Sequence, residues 1–107
     1  MTTLLVSRHR GACDWLSAQG IAIDRQVSHL DMSLIRSGDT VLGTLPVHLA
    51  AKVCACGARY FHLSIDLPPE LRGMELSDEQ LSSCGARLEA FDIKPSNVSL
   101  FPEEPYD

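Results

Sequence analysis

Gly38-Asp39-Thr40-Val41-Leu42-Gly43-Thr44-Leu45-Pro46-Val47-His48-Leu49-Ala50-Ala51 is the stretch whose reading decides the fold. Thr40 to Gly43 is a short β-prone run set directly after the Ser37-Gly38-Asp39 turn, and it passes into residues that open helices. Thr44 can cap a helix with its hydroxyl. Pro46 suits the first helical turn, where its missing N–H has no partner to lose. The spacing predicts a strand over Thr40–Gly43 and a helix that takes in Pro46 and ends before Gly57.

The flanking segments repeat this pattern. Thr3-Leu4-Leu5-Val6-Ser7 reads as a buried strand that ends in the polar loop Arg8-His9-Arg10-Gly11. Ala12, Trp15 and Leu16 recur at helical spacing up to Gln19, and Gly20 stands where a left-handed cap belongs. Arg25 to Leu30 is a weaker strand, followed by a turn or two of helix over Asp31–Ile35. Downstream, Arg59 to Ile65 is a fourth strand, stopped by Asp66-Leu67-Pro68-Pro69. Ser77-Asp78-Glu79-Gln80 is a capping box, and Leu81, Cys84 and Leu88 extend a third helix from it to about Glu89. Strands alternating with helices imply a three-layer α/β fold around a mostly parallel sheet of four to five strands, with right-handed crossovers. The link from the second strand to the third is short for such a crossover. Residues 1–94 read as one domain, and 95–107 as a Pro-rich acidic tail.

With 107 residues, 45% of them hydrophobic and 21% charged, the chain supports one packed core. No apolar run approaches the roughly 20 residues of a membrane span, and Met1 to Val6 lacks the basic start of a secretory signal. The expected compartment is the cytoplasm, with no membrane partner. Cys54 and Cys56 would lie about 200° apart on a helix, an arrangement ill suited to sharing one metal ion. Cys13, Cys54, Cys56 and Cys84 are expected as free thiols, and no metal is expected. A net charge of −5 argues against a grip on long DNA or RNA, which rests on many Lys and Arg contacts to phosphate. It leaves room for a small anion held by a few cations and by helix N-termini.

Ligands of parallel α/β sheets sit outside the carboxyl ends of the strands. The loops expected there carry Ser7, Arg8, His9 and Gly11, then Ser28 and His29, then Gly43, Thr44, Leu45 and Pro46 with His48 just inside the helix, and last the residues from Asp66 onward. Three of the four histidines thus gather at one edge, whereas mid-strand His62 is expected to be structural. Arg8 can clamp a phosphate, and an imidazole can carry a proton either way near neutrality. No Gly-x-Ser-x-Gly elbow surrounds Ser7 or Ser28. Neither a P-loop nor a Gly-x-Gly-x-x-Gly loop is present, so no nucleotide cofactor is expected.

Val6-Ser7-Arg8-His9 with Gly11-Ala12, Val27-Ser28-His29-Leu30-Asp31, the stretch from Gly38 to Ala51, and Gly57-Ala58-Arg59-Tyr60-Phe61-His62-Leu63 together resemble the Csx-sixteen proteins encoded beside type III CRISPR systems. The likeness runs in order from about residue 4 to residue 91. It implies a compact Rossmann-like fold related to the CARF ligand-sensing domains, a homodimer, and a ring nuclease that opens cyclic oligoadenylate, chiefly the tetramer. In such a reaction a ribose 2′-hydroxyl attacks its neighbouring phosphate, a step that requires no metal. Arg8, His9 and His29 are then the expected catalytic residues. Ser7, Gly11, Ser28, Gly43, Thr44, Leu45, Pro46 and His48 are the expected ligand contacts. Binding without cleavage, as a sensor or sponge, and an interaction subunit of a CRISPR complex are the alternatives.

Overall fold

A computed structural model describes residues 1–101. Five strands form one sheet: β1 (Thr3–Val6), β2 (Arg25–Val27), β3 (Thr40–Gly43), β4 (Arg59–Ser64) and β5 (Arg87–Phe91). Their order is β2-β1-β3-β4-β5, with the first four parallel and β5 antiparallel to β4. Three α-helices, α1 (Arg10–Ala18), α2 (Val47–Ala55) and α3 (Asp78–Ser83), cover the two faces.

Alternation along the strands divides the core in two. Leu4, Val41 and Tyr60 point to one face and pack on Ala50 and Val53 of α2. Leu5, Leu42 and Leu63 point to the other and pack on Ala12, Trp15 and Leu16 of α1 and Leu81 of α3. The indole N–H of Trp15 donates to Ser82 Oγ at 3.0 Å, which fixes α1 against α3. β3, central and covered on both sides, is buried along its whole length.

Three expectations are corrected here. The third helix ends at Ser83, and Arg87 to Glu89, expected as its last turn, belong instead to β5. Gly85, at φ 71°, closes α3 with paired bonds from Ala86 N–H to Leu81 O and from Gly85 N–H to Ser82 O. Gly20 closes α1 in the same way, with Ile21 bonded to Leu16 and Gly20 to Ser17. Second, β2 stops at Val27 and does not reach Leu30, because its one neighbour, β1, ends at Val6 and offers no further ladder partners. Third, Thr44 does not cap α2. Pro46 holds the N-cap position, and the Thr44 hydroxyl instead donates to the Leu63 carbonyl at 2.9 Å.

The short link between β2 and β3 is accommodated by a single 3₁₀ turn, Met32–Leu34, whose N-cap Asp31 accepts from Ser33 N–H at 3.0 Å. Residues 102–107 of the acidic tail lie outside the described residues. No helix among the described residues is long and apolar enough to cross a membrane.

Candidate functional site

The strand order reverses between β1 and β3, and there the connections leave toward opposite faces of the sheet. The divergence opens a crevice at the carboxyl ends of the strands, the usual ligand position in open α/β sheets. It encloses about 620 Å³. Ser7, Arg8 and His9 enter it from the β1–α1 turn, Ser28 and His29 from the end of β2, and Gly43 to Pro46 from the β3–α2 turn. Nine of the eleven residues singled out from sequence therefore line one cavity.

Gly11 and His48 do not line it. α1 begins at Arg10, so Gly11 falls inside its first turn and is buried. A Cβ there would strike the backbone carbonyl of Leu76, so this glycine permits α1 and the segment before α3 to touch. His48 is the second residue of α2 and faces solvent.

Among the described residues, local geometry leaves hydrogen-bond donors and unpaired cationic side chains at the polar end of the crevice. His9 is the N-cap of α1, and its backbone N–H donates to Ser7 Oγ at 3.1 Å. Acting as an acceptor there, the Ser7 hydroxyl keeps its own proton free to donate. Thr44, exposed at the lip, has committed its proton to Leu63 and pins the β3–α2 turn to β4. Neither α1 nor α2 carries an acidic residue in its first turn, so neither partial positive charge is neutralised locally. Arg8, His9 and His29 are exposed, and their side chains form no hydrogen bond or ion pair among the described residues. The chain contains 14 Asp and Glu, yet among the described residues no carboxylate lines the crevice.

One buried residue sets the shape of the β3–α2 turn. Tyr60 is 1% exposed, and its hydroxyl accepts from Leu45 N–H at 3.0 Å. The phenol proton lies within reach of the Gly43 carbonyl at 3.2 Å and of His62 Nδ1 at 2.6 Å. Burial pushes the phenol's pKa above its ordinary value of 10.0, so it stays protonated as a donor. Gly43 itself has φ 154°, and a Cβ on it would come within 2.6 Å of the Val6 carbonyl oxygen. The floor of the crevice therefore requires glycine here. His62 lies level with Gly43 in the β3–β4 register but does not line the cavity.

Sequence reasoning placed the loop from Asp66 onward at this edge but singled out none of the residues at the opposite end of the crevice, an apolar wall from Leu63, Ile65, Leu67, Met74, Leu76 and Leu81. These residues come from β4, the loop after it and α3, and only the turn of the chain between β4 and α3 brings them together. Elsewhere the four cysteines are free thiols. Cys54 Sγ accepts from Ile93 N–H at 3.4 Å and so fastens the chain leaving β5 to α2. Among the described residues, no three His, Cys, Asp or Glu side chains gather as a metal site.

These features define an α/β domain whose sheet edge, between two helix N-termini, suits a small anionic ligand. Residues 4–94 match the family model described as "Putative CRISPR-associated protein (Cas_VVA1548)", and the chain belongs to that family. Searches of the curated proteins and of the solved structures find no match.

Proposed function

We propose that the protein is a metal-independent ring nuclease that binds and cleaves cyclic oligoadenylate, chiefly cyclic tetra-adenylate, and so switches off type III CRISPR signalling. On this reading the domain is Rossmann-like and related to CARF domains, and it acts as a homodimer. The observation that carries the proposal is the crevice lined, among the described residues, by one arginine, two histidines and no carboxylate in a protein of net charge −5. CRISPR association of the family supports a ligand of that signalling system.

The reaction needs only groups of this kind. A ribose 2′-oxygen attacks the adjacent phosphorus while the bond from phosphorus to the 5′-oxygen breaks, leaving a 2′,3′-cyclic phosphate and a 5′-hydroxyl. Arg8 and the first amides of α1 and α2 offset the charge that grows on the phosphorane oxygens. His9 and His29 serve as the base that takes the 2′-hydroxyl proton and the acid that protonates the leaving 5′-oxygen.

A second reading, binding without cleavage, is favoured by one observation: no carboxylate or carbonyl orients either imidazole among the described residues. Incubation with cyclic tetra-adenylate in EDTA, followed by chromatography, separates the two. Linear products ending in a cyclic phosphate establish the nuclease, and retention of the intact ring establishes the sponge. Neither product nor retention leaves an interaction subunit and overturns both.

A further inference from the structure

We propose that the apolar end of the crevice is a nucleobase subsite, in which one base packs by its face on Leu63, Ile65, Leu67 and Met74 while its phosphate lies at Arg8. The proposal rests on the reading of the polar end as a phosphate site and extends it to the part of the ligand that phosphate chemistry leaves undetermined.

Three observations support it. The two ends belong to one cavity, and its polar side chains are confined to one of them. Every charged and hydroxyl-bearing side chain of the lining sits at the strand-end loops, and the opposite wall is wholly apolar. A nucleotide has the same division, an anionic group joined through a sugar to a flat ring with two apolar faces. Next, Met74 stands on the rim 54% exposed, a large apolar side chain held in water beside an apolar wall. A thioether packs favourably on an aromatic ring, so a bound base would cover it. Finally, the Leu76 and Leu81 side of the wall is fixed in place. Gly11 lets α1 abut the Leu76 backbone, and the Trp15–Ser82 hydrogen bond holds α3 from the same helix. A preformed wall costs the ligand little ordering.

The composition of this wall also determines how the base is read. Among the described residues no polar side chain lies along it, so the contact measures the area of the ring and not the donors and acceptors on its edge. A purine is preferred to a bare sugar phosphate, and adenine and hypoxanthine are held about equally.

Calorimetric titration of the full chain with adenosine 5′-monophosphate, inosine 5′-monophosphate and ribose 5-phosphate tests this directly. The two nucleotides are expected to bind about tenfold more tightly than ribose 5-phosphate, the factor that 1.4 kcal/mol represents. They should differ from each other by no more than about twofold, a free-energy gap smaller than one edge hydrogen bond contributes. In Met74→Ser, an exposed position where folding is not at risk, the nucleotide advantage should shrink while ribose 5-phosphate affinity holds. Leu67→Ser gives a second measure from the other side of the wall. Equal affinity for nucleotide and sugar phosphate in the unaltered protein overturns the subsite and leaves the phosphate site standing. A strong preference for adenine over hypoxanthine overturns reading by the face. Failure of all three probes and of inorganic phosphate to bind removes the phosphate site, and the subsite with it.

Discussion

Arg8 and Asp39 are charged residues at opposite ends of the same strands, and their environments assign them different tasks. Arg8 is exposed at the carboxyl end, without a partner among the described residues. A guanidinium so placed contributes little to folding and is free for a ligand phosphate. Arg8→Ala should leave the melting temperature unchanged and weaken binding or cleavage of cyclic tetra-adenylate about ten- to a hundredfold, the worth of a charge-assisted hydrogen bond. His9→Ala should spare binding and lower the single-turnover rate. Asp39 lies 6% exposed at the amino end, where it accepts from the backbone N–H groups of Thr2 and Arg36, each at 3.0 Å. Those two bonds, Thr2's the stronger, hold its carboxyl below the ordinary value of 3.8. A carboxylate depressed in the folded state stabilises the protein above its unfolded pKa, and that stabilisation is lost as pH falls through the folded value. Denaturant titrations across this range should show Asp39→Asn less stable than wild type at pH 7, with the gap narrowing below about pH 4. A gap that stays constant with pH would assign the stabilisation to packing instead.

At the scale of elements, the β3–α2 turn depends on a hydrogen bond from β4. Tyr60→Phe preserves the ring but leaves the buried Leu45 N–H without an acceptor, at a cost of about 1–3 kcal/mol. For a domain of this size that should lower the melting temperature by several degrees, on the order of 4–8 °C per kcal/mol. Calorimetry of the variant measures it. β1, α1, β3, α2 and β4 were legible in the sequence because at each of them an apolar pattern and the turn residues that bound it agree. β5 was not. Leu88 follows Leu81 and Cys84 at helical spacing, which outweighed the Gly85 stop and the polar-apolar alternation of Arg87, Leu88 and Glu89. The loops of the polar end could be read because the shared direction of β1 to β4 places their carboxyl ends at one edge. The apolar wall could not, since Leu63 and Leu81 meet only after the chain has turned through the Pro69–Leu71 segment. Thr44 illustrates a finer limit: its sequence signal is that of a cap, and only the position of the Leu63 carbonyl redirects the hydroxyl.

At the scale of the whole molecule, ligand size bears on assembly. A cavity of about 620 Å³ falls within the range for one drug-sized molecule, whereas a cyclic tetranucleotide carries four bases and four phosphates. Two copies facing each other across a two-fold axis would meet the symmetry of such a ring with the same residues used twice. Sedimentation velocity at micromolar concentration should therefore show a dimer, stabilised further by the ring. A monomer that cuts at full rate would refute this.

The unequal walls of the crevice carry a consequence for local unfolding. β3 is buried throughout and paired on both sides, while β2 is three residues long, pairs only with β1 and leaves Arg25 and Gln26 exposed. Opening free energies within one protein range from near zero to the global value according to such differences. The amides of Asp24 and Ser7, which bridge β1 and β2 at 2.9 Å, should exchange with deuterium well before those between β1 and β3. A ligand that engages His29 would have to hold this labile strand closed, so its binding should appear as slowed exchange over residues 24–31, the part of the fold most easily opened without it.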